Sequence, residues 1–167
     1  MQPVLDRLLD LLDTQISLLE SLLAVLSRER AAIAGLDREA IERYSIQKQE
    51  LVQELQLIES RERRAVTRQL ARALGCDNKS ATIAHLAARL PQGPADRLLR
   101  RREILAGLTG ELTVINRINR LLYDDALSLM RTSLAELQPL VQESATYCAS
   151  GLMDGGRHGG WLVRGNV

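Results

Sequence analysis

Apolar residues recur at helical spacing along three long stretches of the chain. In the first stretch, three series repeat every seven residues: Leu5, Leu12, Leu19, Leu26 and Ile33; Leu9, Ile16 and Leu23; Leu11, Leu18 and Val25. On an α-helix these series cover an arc of roughly 160°, wider than the seam of a two-stranded coiled coil. The pattern predicts a first helix that contacts more than one neighbour, or that leaves a stripe free for a partner.

A second long helix is predicted over about residues 38–74, with Gly35 ending the first helix and Asp37 as the N-cap of the second. Its stripe consists of Ile41, Tyr44, Lys48, Leu51, Leu55 and Ile58, then Ala65 or Val66, Gln69 and Ala73. Because the connection is only two residues long, the two helices should form an antiparallel hairpin.

A short helix and a third long helix complete the pattern. Ser80 is expected to cap the short helix, which ends at Leu90. The third helix is expected to begin near Ala95, and Pro139 should kink it or restart it near residues 136–138. Its apolar stripe consists of Leu98, Leu105, Leu108, Leu112, Ile115, Asn119, Leu122, Ala126 and Leu129.

The predicted fold is all-α: an elongated antiparallel helical bundle of three long helices and a short one, with a kinked C-terminal segment. Residues 1–152 should form this domain, and the Gly-rich residues 153–167 a flexible tail. The chain has no Phe, one Trp and three Tyr, which favours packed helices over a β-sandwich. The N-terminal leucines are interrupted by charged residues, so we expect neither a signal peptide nor a membrane span, and a cytoplasmic protein.

Signs of catalysis are nearly absent, and we expect no enzyme, no metal and no cofactor. The two histidines, His85 and His158, lack the Glu-x-x-His spacing of di-iron bundles, and no phosphate-binding loop or hydrolase motif is present. The two cysteines, Cys76 and Cys148, have no CxxC spacing and are expected to be reduced thiols.

Two groups of arginines could form a basic patch. One group contains Arg61, Arg64, Arg68 and Arg72, and the other is the stretch "RLLRRRE" at 97–103. Antiparallel packing could bring them together at one end of the bundle. The net charge is only +1 and no aromatic residues are interleaved, so we expect a solvated face rather than a nucleic-acid site.

The order of several short features resembles the FlgN family of flagellar export chaperones. These features are the leucine-rich first helix closing with Glu29, the segment 35–63 with Lys48, Leu51, Leu55 and Arg61, the pair Asn116 and Asn119 followed by Leu122, and Tyr147 with Gly151. The resemblance implies a cytosolic chaperone that binds the hook–filament junction proteins FlgK and FlgL. It also implies delivery of these clients to the flagellar type III export apparatus, with the export gate or ATPase components as further partners.

The resemblance places the client contact in the C-terminal helical region, about residues 120–150. A second apolar stripe lies there, with spacings of 4, 3, 4, 3 and 4, and would receive an amphipathic client helix. Alternatively, the segment after Pro139 or the first helix covers it. The predicted client-binding residues are Asn116, Asn119, Tyr123, Leu127, Met130, Leu134, Leu137, Val141 and Tyr147.

Three polar residues on apolar stripes have their own interpretations. Asn119 is expected to be buried and to fix helix register. For Asn116, a hydrogen bond to the client backbone is an equal alternative. Lys48 is expected to snorkel or to pair with an acid such as Glu20. A different function remains open, a structural adaptor that self-associates through the leucine face of residues 4–26.

Overall fold

The computed structural model describes residues 1–76 and 82–143, with the backbone alone for 140–143. Its elements are α1 (Gln2–Ala34), α2 (Arg38–Leu57), a π-helical segment (Ile58–Arg63), α3 (Arg64–Ala73), α4 (Ile83–Ala87) and α5 (Gln92–Glu143). No strand occurs in these two ranges, and the predicted all-α class is confirmed. The chain divides into two compact units, Met1–Ala126 and Leu127–Val167.

The turn between α1 and α2 satisfies backbone groups of both helices. The amide of Asp37 donates to the carbonyl of Ala32 at 2.9 Å, and that of Leu36 donates to Ile33 at 3.1 Å. This pair of bonds is a Schellman motif, and Leu36 occupies its left-handed position with φ of 53°. The Asp37 carboxylate then accepts from the amide of Ala40 at 3.0 Å. The predicted N-cap is confirmed.

The end of α3 uses the same motif with a different residue. The amide of Cys76 donates to the carbonyl of Ala71 at 2.9 Å, and that of Gly75 donates to Arg72 at 3.2 Å. Here the left-handed position, with φ of 67°, is held by Gly75. Glycine adopts this conformation without the steric cost that a Cβ imposes.

Three helix ends differ from the prediction. α4 ends at Ala87 and not at Leu90. Thr82, not Ser80, is the N-cap of α4, because its side chain accepts from the amide of His85 at 3.3 Å; Ser80 lies outside the described residues. α5 already begins at Gln92, because Gln92, Gly93 and Pro94 can form its first turn, where amides need no helical partner.

The helix α5 does not end and restart near residues 136–138. It continues through Pro139 to Glu143. Of the two predicted alternatives, the restart is wrong, because one proline removes a single backbone donor and the turns on either side of it keep their own bonds. A kink at Pro139 stays a prediction. The predicted tail, residues 153–167, lies outside the described residues.

The core of the first unit is built where α1, α3, α4 and α5 meet. Its buried members are Leu5, Leu8, Leu9, Leu12, Val66, Leu70, Ala71, Leu86 and Leu98. A smaller cluster joins α1, α2 and α5 through Leu22, Leu26 and Leu112, with Leu51 and Leu55 packed against it. The chain's own helices therefore cover much of the leucine face of α1.

The direction of α5 follows from its contacts with α1. Asp13 pairs with Arg101 through two contacts of 2.7 Å, and Leu26 packs with Leu112 farther along both helices. These two helices therefore run in the same direction, while α2 and α3 run opposite to them. α3 therefore ends near the start of α1, where α4 and the start of α5 also lie.

The π-helical segment changes which residues of the second helical stretch face the core. Its first residue, Ile58, is buried, and Val66 and Leu70 are buried after it. The predicted stripe residues Gln69 and Ala73 are exposed. An α-helix brings residues seven apart to within about 20° of one another, but residues eight apart differ by about 80°. The wider π turn absorbs one extra residue, which a uniform helical period could not predict.

A fourth series of residues spaced seven apart on α1 is also buried. The pattern of apolar residues did not reveal it. It consists of Leu8, Gln15, Leu22 and Glu29, each at most 8% exposed. Two of its four positions are polar, so it does not stand out as an apolar repeat. The face of α1 that contacts its neighbours is therefore wider than the leucines alone indicate.

Candidate functional site

A buried carboxylate connects three helices of the first unit. Glu29 of α1 forms an ion pair with Lys48 of α2 through Oε1. Nδ2 of Asn119 on α5 donates to Oε2 of Glu29 and to the carbonyl of Leu26, both at 2.9 Å. The hydroxyl of Tyr123, one turn farther along α5, donates to Oε1 at 3.4 Å. We call these four side chains (Glu29, Lys48, Asn119 and Tyr123) the Glu29 cluster.

The burial of the Glu29 cluster indicates a structural role, in which its side chains hold the helices together. Glu29 is 1% exposed and Asn119 2% exposed, and a buried carboxylate requires such partners. The predicted interior role of Asn119 is therefore the one found. Lys48 pairs with Glu29 rather than with Glu20, because Glu29 lies on the buried face of α1 and Glu20 on its exposed face.

The pKa of Tyr123 is raised above its usual value of 10.0. Burial is the largest cause, because it disfavours the phenolate. The negative charge of Glu29 and the hydrogen bond that the hydroxyl donates to it act in the same direction. The Tyr123 hydroxyl therefore keeps its proton and its place in the Glu29 cluster at neutral pH.

Asn116 lies on the surface of the first unit, one turn before Asn119. It is exposed and lines a groove of about 1020 Å³ between α2 and α5, with Leu22, Leu26 and Leu112 also lining it. Because its side chain is exposed there, its amide is accessible to a partner. A direct contact between Asn116 and a client stays a prediction.

The second apolar stripe of α5 is exposed where it lies in the second unit. The exposed fractions are 50% for Leu127, 47% for Met130, 66% for Leu134 and 53% for Leu137. We call these four residues the α5 stripe. Val141 continues the same spacing, but its side chain and all of Tyr147 lie outside the described residues.

Leu129 does not belong to the core. It is 60% exposed, although the helical period places it on the same face as Asn119 and Leu122. The covered face of α5 ends with Ala126, the last residue of the first unit. The prediction of Leu129 as a core residue is therefore wrong.

Glu29 is the member of this site that sequence reasoning did not identify as functional. Glu29 lies at a position where the helical pattern of α1 calls for an apolar residue, with Leu22 and Leu26 before it and Ile33 after it. A single acid at such a position is the signal that could have identified it, since an uncompensated carboxylate on a core-facing stripe must have a partner.

The described residues contain no arrangement suited to metal chemistry. No group of three or more His, Cys, Asp or Glu side chains in these ranges could hold a metal ion. None of the described helices has an apolar stretch long enough to cross a membrane.

Comparison with known proteins identifies the family. A family model for the FlgN protein matches residues 1–155, which includes every described element. Searches of curated proteins and of solved structures gave no significant match. A match over almost the whole chain shows membership, and the chain belongs to the FlgN family of flagellar export chaperones.

Proposed function

We propose that this protein binds the C-terminal helical segments of hook–filament junction proteins of the FlgK and FlgL type. It would act in the cytosol, keep these clients competent for export, and deliver them to the flagellar type III export apparatus. The client would lay the apolar face of a helix on the α5 stripe, Leu127, Met130, Leu134 and Leu137.

The single observation that carries the proposal is the exposure of the α5 stripe. Four large apolar side chains on one helix face are each 47–66% exposed. They lie three, four and three residues apart, which is the spacing that helix-in-groove recognition uses. Met130 has a flexible thioether side chain, which would let the surface adapt to more than one client.

The size of the stripe suits a reversible complex. Burying a leucine or methionine side chain contributes about 1.5–3 kcal/mol, so four half-covered side chains supply roughly 3–6 kcal/mol. Ordering a client segment on binding reduces this contribution. A client held mainly by this surface would dissociate readily, as a chaperone that hands its cargo onward requires.

The test is a double substitution in the α5 stripe, Leu127→Asp with Met130→Asp. Because both side chains are exposed, the variant should keep its helix content and melting temperature but lose binding to a FlgK or FlgL C-terminal fragment. Sedimentation of the mixture would show a defined complex with the native protein and free components with the variant.

The matched control places the same charges elsewhere on α5. Val114 and Leu121 are 58% and 56% exposed, so Val114→Asp with Leu121→Asp makes an equal chemical change outside the stripe. This variant should bind the fragment as the native protein does. Equal loss of binding in both variants, or unfolding of the stripe variant, would contradict the proposed site.

A further inference from the structure

A basic pocket lies in the first unit beside the π-helical segment, where α3 and α4 approach the start of α5. Its volume is about 620 Å³. It is lined by Ser60, Arg63, Arg64, Thr67, Arg68, Thr82, Ile83 and Arg102. Four of these side chains are guanidinium groups and three are hydroxyls. Among the described residues, none that lines this pocket is acidic.

Three of the four arginines are available to a ligand. Arg63 is engaged by Glu59, with 2.6 Å between its Nη2 and the carboxylate. Arg68 donates from Nε only to the carbonyl of Arg64 at 3.2 Å. Within the described ranges, Arg64, Arg68 and Arg102 form no ion pair, whereas Arg101, the neighbour of Arg102, is paired with Asp13. The pocket therefore differs from the ion-paired surface next to it.

Unpaired cations in one pocket repel each other, and an oxyanion relieves that repulsion. The planar fork of a guanidinium matches a carboxylate with two parallel hydrogen bonds. None of the described residues that line the pocket is aromatic, so these residues offer no stacking surface for a nucleic-acid base. These features favour carboxylates over nucleotides.

We infer that the basic pocket is a second docking site, which binds an acidic helix of a partner protein. Arg64 and Arg68 are four residues apart on α3, one turn of the helix. Glutamates four residues apart on a partner helix present carboxylates at the same spacing. Arg102 approaches from α5 and would contact one of the two carboxylates. This site is separate from the client contact proposed above and does not depend on it.

The probe is an alanine-based helical peptide of about 20 residues with Glu pairs at i, i+4, and the comparison is the same peptide with Gln. Binding to the full chain is measured by fluorescence anisotropy at low salt. The Gln peptide should bind at least about tenfold more weakly, since charge-assisted hydrogen bonds are the stronger ones. Added salt should weaken binding of the Glu peptide.

The variant Arg64→Gln with Arg68→Gln should weaken binding of the Glu peptide at least about tenfold. The matched control is Arg28→Gln with Arg30→Gln, which removes the same charge from exposed positions of α1. This control should leave the affinity within about twofold, because distant surface charges are screened. If the pocket double variant melts early, Arg102→Gln on α5 serves as the second test.

Several outcomes would overturn the inference. Equal weakening by the pocket variant and the α1 control would mean attraction to net charge alone. Equal affinity of the Glu and Gln peptides would mean no carboxylate recognition. Tighter binding of a single-stranded oligonucleotide that is lost with Arg64→Gln and Arg68→Gln would make the pocket a nucleic-acid site. Pocket variants should still bind the FlgK or FlgL fragment, which keeps this test separate from that of the client site.

Discussion

Glu29 and Asn119 are hydrogen-bonded at 2.9 Å although 90 residues separate them in the chain. The bond joins the end of the buried face of α1 to the middle of α5, and both side chains are almost fully buried. Its acceptor oxygen belongs to the carboxylate that also pairs with Lys48. This one contact ties the helical hairpin to the helix that carries the proposed client surface.

We expect Glu29→Ala to lower the free energy of unfolding by about 2–3 kcal/mol, because it leaves Lys48 and Asn119 without their partner. The value is below that of a fully buried pair, since the Lys48 side chain is 29% exposed. Urea unfolding measures it. Glu20→Ala, an exposed acid on the same helix, is the control and should change stability by less than about 0.5 kcal/mol.

Tyr123 should make stability depend on pH in the alkaline range. Its pKa is raised in the folded protein from 10.0, so the folded state holds the phenolic proton to higher pH than the unfolded state does. Stability from this group is complete below pH 10 and declines as pH rises through the folded pKa. Tyr123→Phe should reduce that decline in unfolding experiments between about pH 9 and about pH 11.

The two Schellman motifs predict opposite effects of substitution. Leu36 holds a left-handed position at φ of 53° and is 46% exposed, so Leu36→Gly should stabilise the protein by about 0.5–1 kcal/mol. Gly75 already has the favoured residue, and a Cβ there would meet no atom within 4 Å. Gly75→Ala should therefore destabilise by about 1 kcal/mol through backbone strain alone. Thermal melting of both variants measures the two changes in stability. If both variants melted higher than the native protein, or both melted lower, the proposed effect of the left-handed positions would be contradicted.

The π-helical segment should tolerate the loss of one residue. Deleting Arg61 leaves Ile58 and Val66 seven positions apart, a spacing that an uninterrupted α-helix places on one face. The variant should fold cooperatively, with stability within about 1 kcal/mol of the native protein.

The matched control for this deletion is the loss of Gln53, an exposed residue of α2. Without a bulge to absorb it, this deletion turns one side of the helix by about 100° relative to the other. It should cost more than about 3 kcal/mol through lost burial. Similar melting temperatures for the two deletions would show that the π segment does not act as an accommodated insertion.

Local signals in the sequence predicted local structure well. The period of α1 and the cap at Asp37 depend on neighbours within one or two turns, and both are found. The interior position of Asn119 also followed from its place between Ile115 and Leu122.

Features that depend on distant residues could not be predicted in the same way. Lys48 pairs with an acid of α1, as one of the two alternatives expected, but the acid is Glu29 and not the suggested Glu20. That choice depends on which face of α1 is buried. The exposure of Leu129 depends on where the first unit ends. Antiparallel packing was expected to bring the two arginine groups together, and Arg64 and Arg102 do line one pocket. The pocket itself depends on the distance between helices, which the sequence does not give.

The parallel course of α1 and α5 has a consequence for synthesis on the ribosome. α1 and α2 are complete once Leu57 is made, but Asn119 follows 62 residues later, because 119 less 57 is 62. At about 5–20 residues per second this takes roughly 3–12 s. Throughout that interval the nascent hairpin lacks the helix that seals Glu29 and the leucines of α1. During synthesis this export chaperone therefore passes through a stage in which its own apolar surface is exposed and prone to aggregation.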